Sequence, residues 1–255
     1  MAQLLSRKAP SLFWTLAEGR SVVELNWFYT LRLLMKRLPK GDGHPVIFFP
    51  GFVASDFSTR PMRGLLKDLG YSTYGWGLGR NLVFNERRED QMRDLLKSVY
   101  EKEGRKVSLV GWSLGGVFVR EIAKANPELV RSVITLGSPI SGDLDHSNAR
   151  RIYTAINGKA DDKMEKRLAK LRTPPPVPTT SIYTKTDGIV AWRGSLQEEG
   201  PISENVQVPA SHVGLGVNPL VMYVLADRLA QNEGKWQPFE PQGFVQKSLF
   251  RKPKI

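Results

Sequence analysis

From residue 44 onward, short apolar runs rich in β-branched and aromatic residues alternate with stretches of helical periodicity, and this alternation leaves few architectures open to the chain. The runs are His44–Pro50 (HPVIFFP), Tyr71–Gly75, Lys106–Trp112, Ser132–Gly137, Thr180–Lys185 and Asn205–Val208. Between them, Glu86–Glu103 sets Met92, Leu95, Leu96 and Val99 on one helical face and ends at Gly104, a natural stop. Leu114–Ala125, closed by Asn126-Pro127, has the same character. So does the stretch opened by Asn218-Pro219, a cap followed by proline at the first helical position. The expected class is α/β, with a mostly parallel sheet covered by helices on both faces. Residues 1–40 and 139–178 do not fit the alternation. The cluster Pro174, Pro175, Pro176 and Pro178 reads as an extended connector closing the second of these.

Composition narrows the chemistry. A net charge of +12 over 255 residues suggests an anionic partner but does not choose among nucleic acid, membrane surface and acidic substrate. The basic residues follow no helix-in-groove or base-stacking pattern, so nucleic acid is not expected. With Cys 0, the chain has no disulfides, thiol catalysis or cysteine-held metal, and any histidine base comes from His44, His146 or His212. Arg7 and Lys8 precede a short apolar run, Ser11–Ala17, closed by Glu18, Gly19 and Arg20, which reads as an uncleaved segment. Val22–Met35 is interrupted by Glu24, Asn26 and Arg32, short of the roughly 18 apolar residues of a spanning helix. The expectation is a soluble or peripheral protein, cytoplasmic or at the inner face of a membrane.

The sharpest motif is Gly111-Trp112-Ser113-Leu114-Gly115, placed where a buried strand hands over to a helix. A serine on such a turn stands exposed at the sheet edge, and the glycines let strand and helix backbones approach. A neutral hydroxyl needs a base within reach. His212 lies after the last strand candidate, at the edge where the base belongs; His44 falls at the opposite edge as a surface or packing residue, and His146 lies in the inserted region. The base needs a carboxylate to orient it. Asp187, directly after the Thr180–Lys185 strand, is the first candidate, with Asp143 and Asp145 as alternatives. Backbone donors for a developing oxyanion are expected from the Leu114 N–H and from the Phe52 N–H in Phe49-Pro50-Gly51-Phe52, where Gly51 is otherwise a plain turn glycine. This chemistry calls for no metal and no organic cofactor.

On these residues the chain resembles the α/β-hydrolase superfamily, in its bacterial lipase and esterase branch. The resemblance covers residues 44–232 and rests on PGF at 50–52, GWSLGG at 111–116, GSP at 137–139, TDGIV at 186–190 and SHVGLG at 211–216. It implies an α/β-hydrolase fold and a triad of Ser113, Asp187 and His212. The loop at 50–52 departs from the HGGG type, which leaves the second oxyanion donor open between Phe52 and its neighbours. Tyr74–Asn81 looks like a feature of a bacterial lipase-like subset and has no assigned role.

The resulting organisation is an N-terminal helical extension over 1–43, a hydrolase domain over 44–233 with a basic cap insertion at 139–178, and an irregular basic tail over 234–255. The cap is either a small lid or a decorative excursion. Residues 11–38, apolar and aromatic with Arg32, Lys36, Arg37 and Lys40 at the end, form a basic amphipathic helix that packs on its own domain or, second, lies in a lipid interface. The expected activity is serine carboxylic-ester hydrolysis of small-molecule or lipid esters. The alternatives are acyl transfer to an alcohol, and a catalytically silent hydrolase fold that binds anionic membranes.

Overall fold

The computed structural model describes residues 10–82, 85–141 and 171–250. Six strands form one sheet: β1 (Pro45–Phe49), β2 (Ser72–Gly75), β3 (Val107–Trp112), β4 (Val130–Leu136), β5 (Thr179–Tyr183) and β6 (Ser203–Gln207). Their spatial order is β2-β1-β3-β4-β5-β6, and every neighbouring pair is parallel. All strand ends that precede a functional loop therefore lie on one edge. The chain steps outward from β1 to β2 and then returns past β1 to β3. The order reverses between β1 and β3, and crevices at such a reversal are where open α/β sheets bind ligands.

The strand period of two divides β1 between two cores. Val46 and Phe48 face α4 (Asp56–Asp68), α7 (Pro219–Leu229) and the N-terminal Phe28 and Met35. Ile47 and Phe49 face α5 (Glu86–Glu103) and α6 (Leu114–Ala125). Burial on both faces explains why these strands read as continuous apolar runs rather than alternating ones.

Helix α4 has no counterpart among the expected elements, and it carries Pro61, which is unfavourable inside a helix. The helix persists because Thr59, Met62, Leu65 and Leu66 line one buried face, and Pro61 removes only one backbone donor. The tail, expected to be irregular, forms α8 (Gly243–Leu249), while Phe239 and Phe250 enter the core beside Tyr223. The single helix expected over 11–38 is three short ones: α1 (Leu12–Leu16), α2 (Ser21–Thr30) and α3 (Arg32–Met35), with a tight turn at Ala17–Arg20. Their polarity is partly inverted. Phe28 and Met35 are buried, yet so are Glu18 and Glu24, whereas Leu12, Phe13, Leu16 and Val22 are exposed. Asp143, Asp145, His146 and most of the cap expected over 139–178 lie outside the described residues.

At the amino edge of the sheet, His44 is wholly buried. Its Nδ1 pairs with Asp42 Oδ1 at 2.6 Å and its Nε2 with Ser108 Oγ at 3.0 Å, and Ser108 Oγ meets Ser132 Oγ at 2.9 Å. Arg105 and Arg131 both bond Asp42 Oδ2. Burial lowers the His44 pKa to about 4, against the opposing pull of Asp42, so the ring is neutral at pH 7. His44 is thus a packing residue, in an Asp–His–Ser chain whose serine is closed to solvent.

Candidate active site

Ser113 joins β3 to α6 with φ 52° and ψ −121°. Among the described residues only Ser113 and Val53 combine a side chain with positive φ. The surrounding glycines show what makes the turn feasible. A Cβ on Gly111 would overlap Gly116 Cα, one on Gly115 would overlap the Phe49 carbonyl, and one on Gly116 would overlap Ser138 Oγ. The G-W-S-L-G-G spacing is therefore a steric requirement of this crossing. The Ser113 N–H donates to the Leu136 carbonyl at 2.8 Å, tying the turn to the end of β4.

Asp187 follows β5 and His212 follows β6, and both are buried. Their side chains meet directly, Asp187 Oδ2 to His212 Nδ1 at 2.7 Å. The other carboxylate oxygen accepts the N–H groups of Ile189 (2.8 Å) and Val190 (2.7 Å), which fixes the acid within its own turn. With Nδ1 donating to the carboxylate, Nε2 is left as the basic nitrogen.

Two contacts bring this pair to the serine turn. The Trp112 indole N–H donates to the His212 carbonyl at 3.1 Å. Gly137, one residue beyond the Leu136 carbonyl that holds Ser113, has φ 55°; a Cβ there would lie 3.1 Å from His212 Nδ1 and 3.2 Å from Asp187 Oδ2. Ser113, Asp187 and His212 thus lie at one carboxyl edge, on three loops that only the folded sheet brings together; Asp187 and His212 are hydrogen-bonded, whereas among the described residues no hydrogen bond joins the Ser113 hydroxyl to His212.

The loop after β1 faces the same turn, since a Cβ on Gly51 would lie 3.3 Å from Ser113 Cβ. Among the described residues no acceptor engages the N–H of Phe52 or of Leu114, the first residue of α6. The loop is braced by Asn81, which is wholly buried. Asn81 Nδ2 donates to the Pro50 carbonyl (2.8 Å), its carbonyl accepts the Val53 N–H (2.9 Å), and its N–H donates to the Ala54 carbonyl (2.8 Å). Asp56, at the start of α4, accepts the N–H groups of Trp76 and Gly77 and leaves no room for a side chain at Gly75. The Tyr74–Asn81 segment, without a role from sequence, is the scaffold of the Gly51–Phe52 loop.

An open groove of about 740 Å³ is lined by Val22, Leu25, Phe28, Phe57, Trp112 and Val213, with Arg32 and Arg60 among its polar residues, and does not include Ser113, Asp187 or His212 themselves. Trp112 and Val213 are the immediate chain neighbours of Ser113 and His212. Among the described residues no cluster of three or more His, Cys, Asp or Glu is arranged to hold a metal ion.

No family model and no curated protein matches the sequence. Solved structures do match. Aspergillus fumigatus lipase B superimposes with a TM-score of 0.60 at 18% identity, over 76% of this chain and 54% of that one. A structure from the study of LipS and LipT, two metagenome-derived lipolytic enzymes, gives 0.56 at 14% identity, over 75% and 95%. The chain has the α/β-hydrolase fold. The Paleococcus ferrophilus monoacylglycerol lipase shares that fold with a TM-score of 0.52 at 13% identity, over 73% of this chain and 93% of that one. The chain spans only about half the length of the Aspergillus enzyme. Within this fold Ser113 lies on the turn from β3 to α6, Asp187 on the loop after β5 and His212 on the loop after β6.

Proposed function

We propose that this chain is a serine carboxylic-ester hydrolase acting on apolar acyl or lipid esters. The observation that carries the reading is the 2.7 Å Asp187–His212 pair at the sheet edge that also holds the strained Ser113 turn. Ser113 Oγ attacks the ester carbonyl as His212 Nε2 takes its proton, and Asp187 stabilises the imidazolium that results. The N–H groups of Leu114 and Phe52 receive the oxyanion. The imidazolium returns the proton to the departing alcohol, and water, deprotonated by the same nitrogen, releases the acid from the acyl-enzyme. The apolar groove beside Trp112 and Val213 supports an acyl chain as the part of the substrate it holds. The lipolytic names of the fold neighbours support the same class.

A fluorophosphonate probe tests the reading: it labels the wild-type chain at Ser113 and spares Ser113→Ala, and p-nitrophenyl esters of increasing acyl length are hydrolysed. Folded protein that is labelled elsewhere, or not at all, overturns it. Ester formation with an added alcohol in preference to hydrolysis would reassign the chain to acyl transfer.

One observation supports a second feature, peripheral contact with an anionic lipid surface. Leu12, Phe13, Leu16, Val22 and Leu33 are each at least 68% exposed on the N-terminal helices, and the same segment carries Arg32 and Lys36, which share Asp68 as an ion-pair partner. Co-sedimentation with phosphatidylcholine vesicles containing an anionic lipid is expected and weakens with salt. Equal binding to neutral vesicles, or none, overturns this part alone.

A further inference from the structure

Two buried carboxylates that the hydrolytic steps do not use, Glu18 and Glu24, turn inward from the N-terminal helices onto the loops that carry the acid and the base. Glu18 Oε1 accepts the N–H of Gly188 (2.8 Å), next to Asp187, and the N–H of His212 itself (3.0 Å). Glu18 Oε2 accepts the N–H of Val213 (2.9 Å). One carboxylate therefore spans both loops. Glu24 continues the pattern, accepting the N–H of Ser211 (2.8 Å) and its hydroxyl (2.5 Å). Arg20 supplies the complementary half: its Nη2 donates to the carbonyls of Thr186 (2.6 Å) and Ala210 (2.9 Å), one on each loop. Donors of the two loops face Glu18, and their acceptors face Arg20.

The approach is close. A Cβ on Gly188 would overlap the Trp14 carbonyl, and one on Gly214 would overlap Glu24 Oε2. A loop amide turned away from water and left without an acceptor costs about 1–3 kcal/mol, so three amides converging on one carboxylate hold their loops in a single relative placement. We propose that Glu18 is a positioning residue of the triad, setting the Asp187 carboxylate against the His212 imidazole through the backbone of both loops. The inference rests on the triad reading above. It assigns the N-terminal helices a part in the chemistry, although no atom of theirs meets the substrate carbonyl in the mechanism.

The test uses the full chain with Glu18→Gln and Glu18→Ala. Glutamine keeps the shape but offers one acceptor oxygen to three donors, so at least one amide meets an NH2 group. The expected result is a kcat lowered about tenfold by Gln and about 100-fold by Ala, with KM within about twofold and fluorophosphonate labelling slowed in step. The downfield proton resonance of the His212 Nδ1–H···Asp187 bond shifts or broadens in both. Phe250→Leu, remote from the site, serves as the control that lowers Tm without changing kcat. Folded Glu18 variants with wild-type kcat and an unmoved resonance overturn the proposal, as do losses that track Tm alone. Should Ala fail to fold, Gln decides. A wild-type chain that neither hydrolyses nor labels, but whose resonance still responds to Glu18→Gln, would retire the esterase reading and leave the positioning role standing.

Discussion

The Asp42–His44–Ser108 chain, whose histidine and serine are buried, sets how stability depends on pH. Unfolded, His44 titrates near 6.5; folded, burial holds it at about 4. Between these values the unfolded chain binds a proton that the folded chain refuses. Folding is therefore fully supported above pH 6.5, and this support is lost as pH falls toward 4. The gap corresponds to about 3 kcal/mol, most of it gone by pH 4.5. Burial raises the Asp42 pKa, but hydrogen bonds from Arg131 and His44 outweigh it and hold the carboxyl well below the usual carboxylate range, so its own loss falls at still lower pH. The assay is urea unfolding of wild type and His44→Gln between pH 8 and 4.5. The variant keeps hydrogen-bonding capacity but cannot titrate, so its curve should be flatter by about 2–3 kcal/mol across that window. Parallel curves, or a His44 ring resonance that titrates near 6.5 in the folded chain, would refute the argument. The same burial predicts that a fluorophosphonate leaves Ser108 unlabelled despite its Asp–His partners.

Asp187→Asn should lower kcat by about four orders of magnitude on a p-nitrophenyl ester, because the amide leaves the imidazole in the wrong tautomer; a loss under tenfold, or a larger loss from Asp143→Asn, would move the acid elsewhere. Gly137→Ala sets a methyl against His212 and Asp187 at a backbone angle costing about 1–2 kcal/mol, so kcat should fall at least about tenfold alongside a lower Tm, and unchanged kinetics would contradict the crowding. Asn81→Ala removes the side-chain brace on Pro50 and should reduce kcat about tenfold with little change in KM, as expected for a misplaced oxyanion donor. An increase in KM alone would instead assign that loop to substrate binding.

The sheet and the Ser113 turn were legible because their signals are local. The β1 run PVIFF is apolar at every position because it is buried on both sides, and the crowding around Gly111, Gly115 and Gly116 is encoded within six residues of Ser113. Helix α4 was hidden by Pro61, whose intrinsic penalty is overridden by Met62, Leu65 and Leu66 packing beneath it. Asn81 was visible only as part of an unassigned Gly-rich segment, since its partners lie some thirty residues away at Pro50. Glu18 and Glu24 left no trace at all. In sequence they interrupt an apolar stretch and read as its solvated side, and only the folded loops supply the amides that make their burial favourable.

The hydrogen bonds that Glu18 and Glu24 accept from the Asp187 and His212 loops join residues 170 to 195 positions apart. On the ribosome, Phe28 and Met35 can pack on β1 and α4 as soon as these emerge, but the carboxylates of Glu18 and Glu24 have no loop amides to bind until β6 and His212 have emerged. The central sheet can collapse first, through contacts closer in sequence, while these two carboxylates wait unpaired. On the proposal that Glu18 sets their spacing, the Asp187 and His212 loops settle only when that wait ends. The proposed hydrolytic site would then be one of the last features the nascent chain completes, and a partly folded molecule, sheet already formed, would be chemically silent.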